Sequence, residues 1–169
     1  MNAAEQYNWY PVYTNPRAEK KAAELLVKKG IEIYLPLQRQ LKQWSDRKKF
    51  VEEPLIKSYI FVRIPLSQQM EVLTTKGVCR FLYFSGKVAS MPERQITQLH
   101  LLLATETELE VCMRPFKTGE KVKVKAGPLM GLTGELVNHH SQKRMIIRLD
   151  HTGQVVLVQI PSVFLEPIV

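Results

Sequence analysis

The sequence predicts an α+β domain at the amino terminus followed by a small all-β domain at the carboxy terminus. Up to residue 105, segments with period-two apolar alternation interleave with segments of helical period. Beyond residue 118 only short β-rich segments separated by turns remain, and five such strands in about 50 residues are typical of a small closed barrel. We therefore expect domains at residues 1–106 and 118–169, joined by a linker at 107–117.

The first strand and the first helix have local signals. Residues 9–14 (W-Y-P-V-Y-T) are aromatic and β-branched, and Pro11 within them indicates an edge strand or a bulge. Asn15 can cap the following helix, Pro16 suits its first turn and Gly30 ends it. One face of this helix is basic, and the packed face consists of Ala18, Ala22, Leu25 and Leu26.

A long hairpin and the strongest strand come next. Apolar residues at every second position from 33 to 37 lead to a predicted tip at 45–48, and the chain returns through Phe50. Residues 55–64 (L-I-K-S-Y-I-F-V-R-I) are β-branched and aromatic, which predicts a central strand of an antiparallel sheet.

The amino-terminal domain ends with a short helix, a strand and a longer helix. The short helix is predicted at 67–75 and the strand at 78–84, closed by a turn at 85–86. Ser90 and Glu93 form a capping box that begins the last helix, which ends near residue 105. The order β-α-β-β-α-β-α predicts helices packed against a mostly antiparallel sheet.

The carboxy-terminal domain opens on residues 121–134 (K-V-K-V-K-A-G-P-L-M-G-L-T-G). Valines alternate with lysines there, so one face of the strand is apolar and the other cationic. Gly131 and Gly134 fall where a side chain is hard to fit, as at barrel corners. The five predicted strands lie at residues 121–125, 132–138, 145–149, 154–160 and 164–168.

Composition points to an intracellular protein with an anionic partner. The 169 residues hold 24 Lys and Arg against 16 Asp and Glu, a formal charge of +8, which favours a polyanion or an acidic protein surface. Cys79 and Cys112 form no Cys-x-x-Cys motif, so neither a disulfide framework nor a zinc site is indicated. No segment approaches the roughly 20 apolar residues that span a bilayer, and a signal peptide is not indicated. We expect a cytoplasmic monomer without a membrane partner.

The motifs of common enzymes do not occur in this sequence. Adjacent His139 and His140 would point to opposite faces of a strand, and no third ligand stands at zinc spacing. Nucleophile-elbow, phosphate-loop and dinucleotide motifs do not occur either. The sequence therefore predicts a non-catalytic protein with no cofactor and no metal.

Basic residues cluster on the first helix and on the hairpin, where they surround Trp44. Cations beside an aromatic side chain suit a nucleic-acid backbone with an unstacked base. The alternative is a solvated basic hairpin with Trp44 packed beneath it. The clustered residues are Arg17, Lys20, Lys21, Lys28 and Lys29 on the helix, and Arg39, Lys42, Arg47, Lys48 and Lys49 on the hairpin.

Aromatic residues on the predicted sheet have two possible interpretations. Tyr59 and Phe61 share one face of the central strand, and Tyr13 and Phe84 lie on strands that could flank it. These side chains are either an exposed apolar docking patch or part of the core.

Several separated motifs together resemble the NusG family of transcription elongation factors, and the resemblance covers nearly the whole chain. It implies an amino-terminal NGN domain, a linker and a carboxy-terminal KOW barrel. The specialised UpxY type, related to RfaH, is the most similar; it implies a factor that binds RNA polymerase and suppresses pausing and termination in capsular polysaccharide operons. The motifs are W-Y-P-V-Y-T-N-P-R-A-E-K-K, I-Y-L-P-L, Q-W-S-D-R-K-K, P-L-I-K-S-Y-I-F-V-R and K-G-V-C-R-F-L, with residues 121–134 for the barrel.

The resemblance also implies which residues of the NGN domain contact the transcription machinery. The apolar concavity for the polymerase clamp helices would consist of Tyr13, Ile56, Tyr59 and Phe84. Contacts to nontemplate DNA or nascent RNA would fall on Arg17, Lys20 and Lys76. Residues 67–69 match the place where relatives touch the β-subunit gate loop, although the threonine-rich motif is absent.

In the KOW half, residues 150–153 (D-H-T-G) stand where the general factor has an apolar pair. That pair serves ribosomal protein S10 or the terminator Rho, so the polar loop argues against either partner here. His151 and Thr152 are the residues expected to contact the barrel's own partner. A ribosome-associated or free RNA-binding KOW protein is the alternative to a polymerase-bound factor.

Overall fold

The computed structural model describes residues 4–105 and 107–168. They belong to two compact units, Met1–Ile96 and Thr97–Val169. The division falls within the third helix, whereas the sequence places the boundary at residues 107–117. The predicted domain limits stay a prediction.

The first unit is built on a four-stranded antiparallel sheet. Its central strand β1 pairs with β5 from Asn8↔Ile64 to Tyr13↔Tyr59 and with β6 from Val12 onward. The segment predicted at 9–14 is a strand, whereas the segment predicted at 55–64 is a strand only from Tyr59, because residues 55–58 form a turn in which Ser58 has a positive φ. The order across the sheet is β2 (Glu32–Tyr34), β5 (Tyr59–Ile64), β1 (Asn8–Thr14), β6 (Val78–Phe81).

Pro11 lies in this central strand, where the sequence predicted an edge or a bulge at that position. The carbonyl of Trp9 accepts the N–H of Met91 at 2.8 Å, so Trp9 and Pro11 both direct their backbone away from β5. Strand β6 begins to pair only at Val12. The missing N–H of proline therefore removes no ladder hydrogen bond.

The first unit contains the helices α1 (Glu19–Lys28) and α2 (Gln69–Leu73), and the division between the two units falls in a further helix, α3 (Glu93–Leu103). The predicted apolar stripe of α1 supplies Ala22 and Leu26 to the core beside one face of the sheet. This helix begins later than predicted because Arg17 adopts a left-handed conformation, with φ of 64°. The core consists of Tyr10, Val12, Ala22, Ala23, Leu26, Ile31, Ile60, Val62, Ile64, Val72 and Phe81.

Two hairpins form separate two-stranded sheets. The predicted long hairpin is β3 (Leu37–Gln43) paired with β4 (Lys48–Pro54). The strand predicted at 78–84 is interrupted after β6, because a turn with positive φ at Ser85 and Gly86 folds β7 (Tyr83–Phe84) back onto β8 (Lys87–Val88). Phe84 therefore lies outside the four-stranded sheet.

The second unit contains a six-stranded antiparallel sheet. Five strands lie at or near predicted positions, and the sixth, β9, lies in the segment predicted as linker and pairs with β13. Among the described residues no pairing joins the two outer strands, β14 and β9. The order is β14 (Leu165–Pro167), β10 (Glu120–Val124), β11 (Thr133–His139), β12 (Gln142–Arg148), β13 (Val155–Val158), β9 (Leu109–Cys112).

A charged cluster fastens the segment before β10 to this sheet. Arg148 donates from Nε to Glu135 Oε2 at 2.7 Å and from a terminal nitrogen to the Phe116 carbonyl at 2.8 Å. Glu135 also accepts the Gly119 N–H at 3.0 Å. Burial alone would raise the pKa of Glu135, but these hydrogen bonds outweigh it and lower the pKa.

Among the described residues, the helices are too short and polar to cross a lipid bilayer.

Replacing Gly134 with alanine will lower the free energy of unfolding. A Cβ atom there would lie 2.5 Å from the Ile146 carbonyl oxygen and 2.8 Å from Met145 Cε, so the paired strand would have to move. We expect a loss of about 1–3 kcal/mol, measured by urea denaturation. The exposed Lys123→Ala on the adjacent strand is the control, and equal stability of both variants would contradict the close approach.

The Glu135 cluster predicts loss of stability at acid pH. Because its pKa is lower in the folded than in the unfolded chain, its contribution is present above the unfolded pKa and disappears as pH falls through the folded value. We expect the free energies of unfolding of the wild type and Glu135→Gln, measured by denaturation, to differ more at pH 7 and to converge as the pH falls toward 3. A difference independent of pH would show that the carboxylate charge is not what stabilises.

Candidate functional site

Three loops of the first unit meet at the end of the sheet where β1 finishes. The Thr14 N–H donates to the Ser58 carbonyl and the Asn15 N–H donates to the Gly77 carbonyl, both at 2.9 Å. These bonds join the loop after β1 to the loops that precede β5 and β6. The sequence positions are far apart, so only the sheet order brings them together.

Glu19 fixes this junction from the first turn of α1. Its carboxylate is buried and accepts the Ser58 N–H at 2.9 Å. Ser58 has a φ of 65°, a left-handed conformation that serine adopts less readily than glycine. The hydrogen bond thus holds a strained loop in one position.

Cations surround the junction, which we call the cationic end and define by Arg17, Lys57 and Lys76. All three side chains are exposed. Among the described residues neither Arg17 nor Lys76 forms an ion pair with a carboxylate. The Asn15–Gly77 hydrogen bond places the loops that carry these two residues side by side. An anionic backbone is therefore the ligand that this end suits.

A cleft of about 600 Å³ runs from the cationic end to the base of the long hairpin. Lys20 bridges across it by donating to the Glu52 carbonyl. Lys42 donates to Glu53 and lowers the pKa of that carboxyl, which favours its charged form. The predicted nucleic-acid residues Arg17 and Lys20 thus share one cleft, and Lys76 lies in the adjoining loop.

A tyrosine patch lies on the sheet next to the cationic end; we define it by Tyr13, Tyr59 and Arg80. The two tyrosine rings meet edge to face, with centroids 5.6 Å apart and planes at 75°. Arg80 lies 5.6 Å from the Tyr13 ring centroid. Burial and Tyr13 raise the pKa of Tyr59 despite the opposing effect of Arg80, so the phenol stays neutral.

The four residues predicted to bind the polymerase have different environments. Tyr13 and Tyr59 lie opposite each other in register; Tyr13 is half-buried and Tyr59 is buried. Ile56 is fully buried and Phe84 is 64% exposed on the β7–β8 hairpin. Tyr13 and Phe84 therefore offer side-chain surface to a partner, whereas Tyr59 and Ile56 are buried.

Arg80 is a site residue that sequence reasoning missed. It is directly opposite Tyr13 in the β1–β6 register, and its exposed side chain alternates with the buried Phe81. The alternation could have been read from the sequence, but its position beside Tyr13 follows only from the pairing.

In the second unit, the two residues predicted to contact a partner, His151 and Thr152, differ in exposure. The Thr152 hydroxyl donates to the Leu149 carbonyl at 2.9 Å and accepts the Gln154 N–H at 3.0 Å, so this buried side chain shapes the turn. His151 is exposed, with φ of 66°. The loop therefore presents His151 and uses Thr152 internally.

Within the described ranges, no three His, Cys, Asp or Glu side chains lie close enough together to hold a metal ion. The thiols of Cys79 and Cys112 are free, and Cys79 donates to Asn15 at 2.7 Å.

Known proteins match the chain at the level of family and fold. A family model described as "NusG: Transcription termination factor nusG" matches residues 7–100. The structure titled "Domain interaction in Thermotoga maritima NusG" is 21% identical, covers 99% of this chain and 100% of that chain, and gives a TM-score of 0.56, a likeness of fold. Crystal structures of MjSpt4:Spt5 in conformations A and B are 16% and 14% identical. They cover 95% of this chain and 97% and 96% of theirs, with TM-scores of 0.28.

Replacing Glu19 with alanine will destabilise the cationic end. The partly buried Ser58 N–H would lose its acceptor, which costs about 1–3 kcal/mol of unfolding free energy. Glu19→Gln keeps an oxygen acceptor and should cost clearly less. Thermal denaturation measures both, with the exposed Glu24→Ala on the same helix as the control; equal losses for alanine and glutamine would contradict the hydrogen-bond role.

Proposed function

The chain belongs to the NusG family, and on that premise we propose that it is a transcription elongation and antitermination factor that binds RNA polymerase and suppresses pausing and termination. The observation that carries this proposal is the family match over residues 7–100, which include the tyrosine patch and the cationic end. NusG-family factors are non-enzymatic transcription factors. The proposed mode of action is accordingly occupancy, with no bond made or broken, and no cofactor.

The tyrosine patch and the β7–β8 hairpin form the proposed surface for the polymerase clamp helices. Tyr13 and Phe84 supply accessible aromatic area, and aromatic side chains are enriched among the residues that carry binding energy. Ile56 and Tyr59 act beneath them as buried supports. Residues 67–69 contact the β-subunit gate loop in this proposal.

The cationic end faces nucleic acid while the aromatic residues hold the polymerase. Arg17, Lys20 and Lys76 contact the nontemplate DNA strand or nascent RNA. The loops that carry Arg17 and Lys76 are held side by side by the Asn15–Gly77 backbone hydrogen bond, which supports this role because phosphate contacts gain most from charges already in place. Simultaneous contact with polymerase and nucleic acid would stabilise the elongating state against pausing.

The specialised part of the proposal is a UpxY-type factor, related to RfaH, that serves polysaccharide biosynthesis operons from the cytoplasm as a monomer. The sequence motifs from W-Y-P-V-Y-T to K-G-V-C-R-F-L support this type. An amino-terminal NGN domain at 1–106, a linker at 107–117 and a closed KOW barrel at 118–169 complete the proposed organisation. His151 is the residue of the barrel that would meet its partner.

A cleft in the second unit favours a second candidate, a ribosome-associated or free RNA-binding protein. This cleft, of about 690 Å³, is lined by Arg114, Lys117, His140 and Lys143 with one acidic residue, Glu120. A mostly basic cleft of this size could hold an RNA backbone without any polymerase. The two candidates therefore differ in whether purified polymerase binds the chain.

Pull-down with purified core RNA polymerase tests the leading proposal. We expect wild type to be retained and Phe84→Ala to bind about 10-fold or more weakly, since it removes an aromatic side chain that is mostly exposed. Met130→Ala, which removes a similarly exposed apolar side chain from the second unit, is the control. Retention of RNA with no binding of polymerase would favour the second candidate instead.

A reconstituted transcription assay measures the consequence of binding. Readthrough of a terminator should rise with wild type and stay at the basal level with Phe84→Ala. Increased termination with the wild-type protein would contradict the antitermination part of the proposal while leaving polymerase binding intact.

A further inference from the structure

The β3–β4 hairpin, which we call the ribbon, projects as its own two-stranded sheet. Its pairing runs without a break from Leu37↔Pro54 to Gln43↔Lys48, and the Trp44 N–H closes the tip by donating to the Arg47 carbonyl at 2.7 Å. At the base, the Leu55 N–H donates to the Pro36 carbonyl at 2.9 Å. The ribbon is thus a regular element with a defined tip.

Three large apolar side chains on the ribbon are exposed to solvent. Trp44 is 53%, Leu41 54% and Phe50 55% exposed. Leu41 and Phe50 are directly opposite each other, so both lie on one face of the ribbon. The sequence left open whether Trp44 packs beneath the hairpin; its exposure in the structure excludes that alternative.

Cations frame these aromatic residues. The four cations of segment 42–49 accompany a single acidic residue, Asp46. Arg39 lies 4.2 Å from the Phe50 ring centroid, and Lys42 pairs with Glu53. Among the described residues no carboxylate forms an ion pair with Arg47, Lys48 or Lys49.

We propose that the ribbon binds single-stranded DNA, with Trp44 and Phe50 stacking on unpaired bases while Arg47, Lys48 and Lys49 contact the phosphates. Exposed aromatic faces beside unpaired cations are the combination that single strands require. A duplex would engage the cations but leave the aromatic rings without a stacking partner. The same charge disfavours a basic or purely apolar protein partner.

The choice of DNA rests on the proposed function. The ribbon base and the cationic end share one cleft, in which Lys20 donates to the Glu52 carbonyl of β4. A nontemplate DNA strand held at Arg17 and Lys20 therefore has the ribbon as its next surface. The ribbon extends the proposed nucleic-acid contact by several nucleotides.

Fluorescence anisotropy with the full chain and a labelled strand of about 16 thymidines, the upper end of the usual site size, tests the proposal without polymerase. We expect the double variant Trp44→Ala, Phe50→Ala to bind about 10-fold or more weakly, because each base–aromatic stack is lost. Trp44→Phe should retain most of the affinity and Trp44→Leu should not. Tyr7→Ala, which removes an exposed aromatic elsewhere in the same unit, is the matched control and should bind like wild type.

Tryptophan fluorescence gives an independent readout. The chain has two tryptophans, of which Trp9 is buried and Trp44 exposed. Stacking on DNA should quench the Trp44 emission, and Trp44→Phe should remove this quenching while anisotropy still reports binding. Quenching that persists in Trp44→Phe would overturn the stacking role.

Three further outcomes would overturn the proposal. They are unchanged affinity of the double variant, equal affinity for a duplex of the same length, and tighter binding of the matching uridine strand. Failure of the proposed function would give a different result from failure of the ribbon proposal. The wild-type protein would not bind polymerase, regardless of how the ribbon variants change the affinity for DNA.

Discussion

The antiparallel pairing of β1 with both of its neighbours is the constraint on which the first unit depends. Strand β1 is bonded to β5 along its length and to β6 at its end, and the two backbone hydrogen bonds that follow, from Thr14 and Asn15, tie three loops together. A change of register by one residue would move Tyr10 and Val12 out of the core and Tyr13 into it. The core, the tyrosine patch and the cationic end are therefore set by a single register.

Much of this architecture could be predicted because its signals are local. The apolar stripe of α1, the β-branched and aromatic composition of β5 and the long hairpin are each encoded within a few neighbouring residues, and the structure contains all three elements. The sequence placed Pro11 at an edge or a bulge, but a central strand accommodates this proline because β6 begins to pair only at Val12. Strand β9 was not predicted because it forms only by pairing with β13. Ring contact between Tyr13 and Tyr59 likewise requires a register that no local pattern specifies.

Burial separates the residues that hold the site from those that can contact a partner. Ile56 and Thr152 were predicted as contact residues from their positions in the sequence. Ile56 is fully buried, however, and the Thr152 hydroxyl forms hydrogen bonds within its own turn. Phe84, Trp44 and Phe50 are the reverse, since they are aromatic and more than half exposed. In the proposed function, the energy of folding and the energy of binding therefore reside in different side chains, and we expect that each can be altered with little effect on the other.

The cationic end carries backbone strain. Arg17 and Ser58 both adopt left-handed conformations, with φ of 64° and 65°, which for residues other than glycine costs of order 1 kcal/mol each. Glycine would relieve that cost, but at residue 17 it would remove the guanidinium. The strain is offset by the Glu19–Ser58 hydrogen bond and by the bonds from Thr14 and Asn15. A flexible arginine would lose conformational entropy on meeting a phosphate, whereas one on a constrained loop has lost part of it during folding. In the proposed role of Arg17, the strained turn therefore moves part of the entropic cost of nucleic-acid binding into the folding of the sheet.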